Sequence, residues 1–140
     1  MTDLLRLAVV SCAYDTGFTP LAPQIEARLA QLAPIDGARL YLASPDDAFT
    51  HVVQRIDAER VRAVPAPGAS KGRARRLALA EALKEDFDAF AYINLNLKVD
   101  ASYLQPALQI LQTTDAAAVV GTRSPQEGGA HIGQGWLGDR

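Results

Sequence analysis

The chain has 140 residues, of which 49% are hydrophobic and 21% charged, and its net charge is −2. Size and mix fit one ordinary globular domain and exclude general disorder. The slight acidity argues against a protein that coats nucleic acid, no apolar run is long enough to span a bilayer, and a single cysteine excludes an internal disulfide or a cysteine-rich zinc site.

The first residues, Met1 to Arg6, lack a basic region followed by an uninterrupted apolar stretch. A chain without a secretory signal and in the cytoplasm is therefore expected. Leu5 to Ala13 is a nearly continuous apolar run, which suits a strand covered on both faces. Thr19-Pro20 has the form of a helix start, and Leu21, Ile25, Leu29 and Leu32 mark one apolar helical face. Pro34 and Gly37 end that helix. Ala38 to Ala43 is a second strand. Ser44-Pro45-Asp46-Asp47 resembles a capping box, and Phe49, Val52, Val53 and Ile56 form the face of the helix behind it.

Val61 to Val64 is a short third strand, followed by a loop over Pro65 to Ser70. Lys71 to Glu85 is rich in Ala and Leu and strongly helical. Phe87 to Ile93 is a fourth strand that ends at Asn94-Leu95-Asn96. Asp100 or Ser102 caps a helix bearing Leu104, Leu108 and Leu111, with Pro106 limiting or kinking its first turns. Ala116 to Gly121 is a fifth strand. From Ser124 the periodicity stops, and residues 124–140 hold five of the ten glycines and the only Trp. That stretch is expected to be a tail, lid or linker.

Strands alternating with helices predict an α/β fold, a mostly parallel, Rossmann-like sheet with helices on both faces. Crossovers should be right-handed. Ligands of such sheets sit at the carboxyl ends of the strands, where the strand order reverses. The segments after the strands are therefore the ones to read for function.

Cys12-Ala13-Tyr14-Asp15 follows strand one, Ser70-Lys71-Gly72-Arg73-Ala74 opens the helix after strand three, Asn94-Leu95-Asn96 ends strand four, and Val119-Val120-Gly121-Thr122-Arg123 ends strand five. In this order they resemble the amino-terminal half of a family 2 glycosyltransferase of the GT-A type. Its corresponding segments are Pro-Ala-Tyr-Asn, Gly-Lys-Gly-x-Ala, Asp-x-Asp and Val-Gly-Ser-Arg, the last best known in the polyprenyl-phosphate sugar transferases. The resemblance runs from about Leu5 to Arg123. It implies a nucleotide-sugar-binding domain over residues 1–123, whose partner is a nucleoside diphosphate sugar and whose acceptor, in the polyprenyl-phosphate type, is a polyprenyl phosphate. The residues it implicates are Ala13, Tyr14, Asp15, Ser44, Lys71, Asn94, Asn96 and Arg123. The half that carries the family's catalytic base would follow residue 140.

Departures from the pattern bear on activity. Ala43-Ser44 stands where the family usually has a pair of Asp, and Asn94 and Asn96 replace its two metal-binding carboxylates. Asn keeps a carbonyl oxygen but loses the charge on which hard-cation affinity depends. Mg²⁺ or Mn²⁺ is therefore expected to bind weakly, or only with nucleotide. The same Asn-Leu-Asn also reads as an ordinary polar strand exit.

Lys71, Arg73, Arg75 and Arg76 crowd the first turns of a helix, where the macrodipole disfavours cations. A diphosphate would relieve this; a solvated basic face is the plainer account, and Lys71 is the better candidate for a ligand contact. Tyr14 could lie against a nucleobase and Asp15 could accept from base or ribose, or both could simply form a wet rim. Ser44 suits an N-cap as well as a ligand contact. Cys12 reads as a buried small residue, and His51 as helix surface. Trp136 either anchors a lid or meets a partner, a second copy in a homo-oligomer or a further C-terminal segment. Two other functions stay open. One is a catalytically inactive relative that binds nucleotide or protein. The other is a flavodoxin-like module, which would seat strand one between strands two and three.

Overall fold

A computed structural model of the chain describes residues 5–12, 21–44, 51–53, 55–56, 59–93, 95 and 101–116. The chain divides into two compact units, Met1–Gln105 and Pro106–Arg140. The first contains strands β1 (Leu7–Cys12), β2 (Arg39–Ser44), β3 (Val61–Pro65) and β4 (Ala89–Tyr92), with helices α1 (Leu21–Leu32) and α2 (Lys71–Leu83). A 3-10 turn over Ala101–Tyr103 leads into α3 (Leu104–Thr113), which crosses from the first unit into the second.

The four strands form one parallel sheet in the order β3-β2-β1-β4. All six residues of β1 are buried, as its continuous apolar run requires of a strand covered on both faces. Val9 sets the register, opposite Leu40 of β2 on one side and Ala91 of β4 on the other. The sheet is thus the expected Rossmann-like one. The flavodoxin-like alternative is corrected by this order, because β1 lies between β2 and β4 rather than between β2 and β3. The pairing of β1 with β4 requires the chain to cross back over β1 and β2 after β3, which the flavodoxin order does not do.

One face of the sheet is covered by α2. Ala74, Ala78 and Ala82, four residues apart, are fully buried against Ala8, Val10, Cys12, Tyr41, Ala43 and Val64. A stripe of methyl groups lets the helix approach the strands closely. The other face buries Leu7, Val9, Leu40 and Leu42. Helix α1 lies between β1 and β2 in the chain and buries Ile25, Leu29 and Leu32. The guanidinium of Arg60, just before β3, donates to the Leu29 carbonyl at 2.6 Å and ties α1 to the sheet.

Local chemistry accounts for the element ends. Gly37 takes φ +76° in the turn between α1 and β2, a backbone conformation costly for other residues. Pro65 closes β3 at its last position, where its missing N–H costs no ladder bond, and the next residue, Ala66, donates to the Ser44 carbonyl at 3.0 Å. Pro106 causes no break. It is the third residue of α3, within the first turn, where a backbone N–H has no helical partner to lose. In the second unit, the hydroxyls of Thr113 and Thr114 donate to the carbonyls of Gln109 and Ile110 at 2.7 and 2.6 Å as α3 ends. The expected fifth strand lies outside the described residues except for Ala116, whose N–H donates to the Thr114 hydroxyl. The Thr19-Pro20 helix start, the Pro45-Asp46-Asp47 capping residues and the 124–140 tail also lie outside them.

Candidate functional site

In the order β3-β2-β1-β4 the chain runs outward from β1 to β3 and then returns to the far side of β1. The order reverses between β1 and β4, and their carboxyl ends leave the sheet side by side. Val10 is opposite Tyr92, and the N–H of Ile93 donates to the Val10 carbonyl at 3.2 Å. Loops diverging from two such neighbours leave a crevice at that edge. Ala13, Tyr14 and Asp15 follow β1, and Asn94 and Asn96 follow β4. These five, with Arg123, lie outside the described residues.

Ser44 and Lys71 are described. Ser44 is the last residue of β2 and is 4% exposed. Its carbonyl anchors Ala66 and starts the loop that delivers α2. The loop turns at Pro67-Gly68, where Gly68 takes φ +69° and the N–H of Ala69 donates to the Ala66 carbonyl at 3.1 Å. Ser70 then caps α2, its hydroxyl accepting from the Arg73 N–H at 3.3 Å. The first turn of α2 thereby comes to the end of β1, where the Cys12 thiol meets the Lys71 carbonyl at 3.7 Å. The Lys71 side chain is exposed, and its ammonium has no hydrogen bond or ion pair among the described residues.

The rest of the basic run is put to different uses. Arg75 lies flat on the Tyr92 ring, 3.7 Å from its centre, and donates to the Tyr92 hydroxyl at 2.9 Å. Arg73 and Arg76 are exposed. Glu81, further along the helix, pairs with Lys84 at 2.7 Å rather than with any arginine. Burial pushes the Cys12 thiol up, while the charges of Arg75 and Lys71 pull it down less strongly. A thiol raised in this way stays protonated near neutrality and is not a nucleophile. Tyr92 is also raised by burial, against the opposing charge of Arg75.

The opposite face at this edge holds polar groups that the hydrophobic spacing does not reveal. Ser11 is completely buried, and its hydroxyl has no hydrogen-bond partner among the described residues. Gln24 and Arg28 of α1 are each 1% exposed, although their positions read as a polar flank. Arg28 donates to the Gln31 side chain at 2.7 Å. The 3-10 turn that follows β4 packs on α1, and Tyr103 within it is raised by burial, with the Arg28 charge opposing. The only signal for this cluster in the sequence was the spacing of Gln24 and Arg28, one turn apart beside Ile25 and Leu29.

No group of three His, Cys, Asp or Glu suited to a metal ion occurs among the described residues. No family model, curated protein or solved structure matches the chain. The likeness to glycosyltransferases therefore stands on the residues themselves and on the topology that orders them.

Proposed function

We propose that the chain is a nucleotide-sugar-binding domain of the GT-A kind, taking a nucleoside diphosphate sugar at the carboxyl edge of the sheet for transfer to an acceptor such as a polyprenyl phosphate. The observation that carries this reading is the reversal of strand order between β1 and β4. The two segments with the strongest motif likeness begin directly after those two strands, where α/β sheets hold their ligands. Lys71 supports the reading, because its ammonium, without a partner among the described residues, belongs to a helix start beside the end of β1. In this role Tyr14 and Asp15 meet base and ribose, and Lys71 and Arg123 meet phosphate.

A resident divalent ion is not part of this reading. Asn94 and Asn96 offer neutral oxygens in place of two carboxylates, a poor donor set for Mg²⁺ or Mn²⁺. An ion would enter with the nucleotide, held mainly by its phosphate oxygens. Calorimetry with UDP, GDP and their sugars, with and without Mn²⁺, tests the proposal. One nucleotide should bind, and Lys71→Ala should weaken it by about tenfold, the loss of one charged hydrogen bond. The absence of heat with every nucleotide at millimolar concentration would remove the proposal.

The same two asparagines favour a second reading, a relative that binds nucleotide or protein without transferring sugar. It expects nucleotide binding with no turnover. Sugar transfer by the full-length protein would eliminate it.

A further inference from the structure

At the amino-terminal edge of the sheet, opposite the carboxyl edge discussed above, there is a cleft of about 620 Å³. Its wall includes Arg6, Arg39, Arg60 and Arg62, with Asp36 and Glu59 as the carboxylates among the residues that line it. In sequence these arginines are scattered, and strand pairing gathers them. Arg39 stands opposite Ala8, two residues beyond Arg6; the Leu40 N–H donates to the Arg60 carbonyl at 2.8 Å; and Arg62 stands opposite Tyr41. The three strand starts thus present a row of guanidiniums. In a chain of net charge −2, four of the fourteen basic residues meet in this one place.

What holds these side chains is neutral. Arg6 donates to the Asp86 carbonyl at 2.6 Å, and Arg39 to the Glu59 carbonyl at 2.9 Å. Both also lie over the same Phe87 ring, 4.9 and 5.8 Å from its centre. That ring is fixed edge-on against Tyr41 at 5.9 Å. No carboxylate of a described residue makes an ion pair with Arg6, Arg39 or Arg62, and Arg62 is exposed with no hydrogen bond or ion pair among the described residues. Each guanidinium carries five donors, and among the described residues Arg6 uses one and Arg39 two. Three guanidiniums, those of Arg6, Arg39 and Arg62, thus line the cleft without an ion pair among the described residues, while the Asp88 carboxylate accepts from the Arg6 backbone N–H at 2.8 Å. Two planar forks braced by one aromatic ring match an anion with two adjacent charged groups.

From this arrangement we infer that the cleft binds a diphosphate group. The group can come from free pyrophosphate or from a nucleoside diphosphate, and the two sources share the recognition chemistry. The site is separate from the carboxyl edge proposed for the nucleotide sugar, so each can fail without the other.

The test is calorimetric titration with inorganic pyrophosphate at low salt, using the whole chain. Wild type and Lys71→Ala should bind it alike. Arg62→Gln should weaken it about tenfold, the effect of losing about 1.4 kcal/mol of charged hydrogen bonding, and Arg39→Gln/Arg62→Gln should weaken it further. Arg62 is exposed and makes no side-chain hydrogen bond or ion pair among the described residues, so its replacement should leave the fold intact, and Arg76→Gln on the exposed side of α2 controls for general loss of charge. UDP that displaces pyrophosphate from Lys71→Ala identifies a nucleotide as the source, and pyrophosphate that UDP does not displace identifies the free ion. Failure of pyrophosphate to bind, or equal affinity in Arg62→Gln and wild type, overturns the inference.

Discussion

The seat of α2 on the sheet can be tested by enlarging one methyl group. Ala78 is completely buried at the middle of the Ala74–Ala78–Ala82 stripe, facing Ala8, Val10, Tyr41 and Ala43. Ala78→Leu adds three carbons where close-packed helix and strand atoms leave no room for them. Overpacking of this kind costs about 1–3 kcal/mol, and the rigid backbones on both sides point to the upper part of that range. For a chain of this length each kcal/mol lowers Tm by roughly 3–4 °C, so a fall of about 6–12 °C is expected. The assay is thermal unfolding followed by far-UV circular dichroism. Leu79→Ala is the control, because Leu79 lies on the flank of the helix, 36% exposed, and its loss should cost within about 0.5 kcal/mol. A Tm for Ala78→Leu within about 2 °C of wild type would refute the close approach of α2 to β1 and β2.

Four further outcomes follow from the same geometry. Ser70→Ala should cost about 1 kcal/mol by removing the cap of α2, and Ser70→Gly only a few tenths, both read from urea midpoints. Cys12 is the only thiol in the chain, so reaction with a disulfide reagent reports on it alone; it should react slowly in the native protein and rapidly in urea, and equal rates would contradict its burial. The pH dependence has a definite sign: Cys12, Tyr92 and Tyr103 all have pKa values raised in the folded state, so the stability they contribute is complete below the ordinary thiol and phenol ranges and declines as pH rises through their folded values, visible as a falling urea midpoint on the alkaline side. Arg75→Gln should raise the Tyr92 pKa still further, because the guanidinium opposes the effect of burial, and the shift is readable as the absorbance change that Tyr92→Phe abolishes.

Features set by local periodicity were legible in the sequence. The apolar run of β1, the stripe of Ile25, Leu29 and Leu32, and the Ala- and Leu-rich helix α2 each declared themselves within a few residues. Burial within α2 ran against hydrophobicity. Ala74, Ala78 and Ala82 are buried while Leu83 is 59% exposed, because closeness to the sheet favours the smallest side chain over the most apolar one. Gln24 and Arg28 were read past for a related reason: the apolar spacing around them marks a face but does not show how wide the covered strip is. The strand order depends on pairings between residues about eighty positions apart, such as Leu7 with Ala89, and no local pattern encodes them. Of the eight candidate site residues, Ser44 and Lys71 fall within the described chain, Ser44 buried at the end of β2 and Lys71 exposed at the start of α2.

The two edges of the sheet divide the basic residues in a way that composition conceals. Parallel strands send every carboxyl end to one edge and every amino end to the other, so a residue's position along its strand decides which edge it serves. Lys71 and Arg75 reach the carboxyl edge because α2 starts beside the end of β1, and their charges are felt there by Cys12. Arg6, Arg39 and Arg62 come to the amino edge because they precede or open β1, β2 and β3. Both edges gather basic side chains in an acidic protein, and their partners differ in kind. At the carboxyl edge the exposed Lys71 has no hydrogen bond or ion pair among the described residues. At the amino edge Arg6 and Arg39 are already braced by Phe87 and by backbone carbonyls. Bracing of this kind spends little entropy when an anion arrives, whereas a free lysine must be ordered by its ligand. Affinity at the amino edge should therefore depend on the rigidity of Phe87, so Phe87→Leu should weaken pyrophosphate there while leaving nucleotide binding at the carboxyl edge unchanged. Calorimetry with both ligands on that one variant compares the edges directly, and a parallel loss of both would show that they do not act independently.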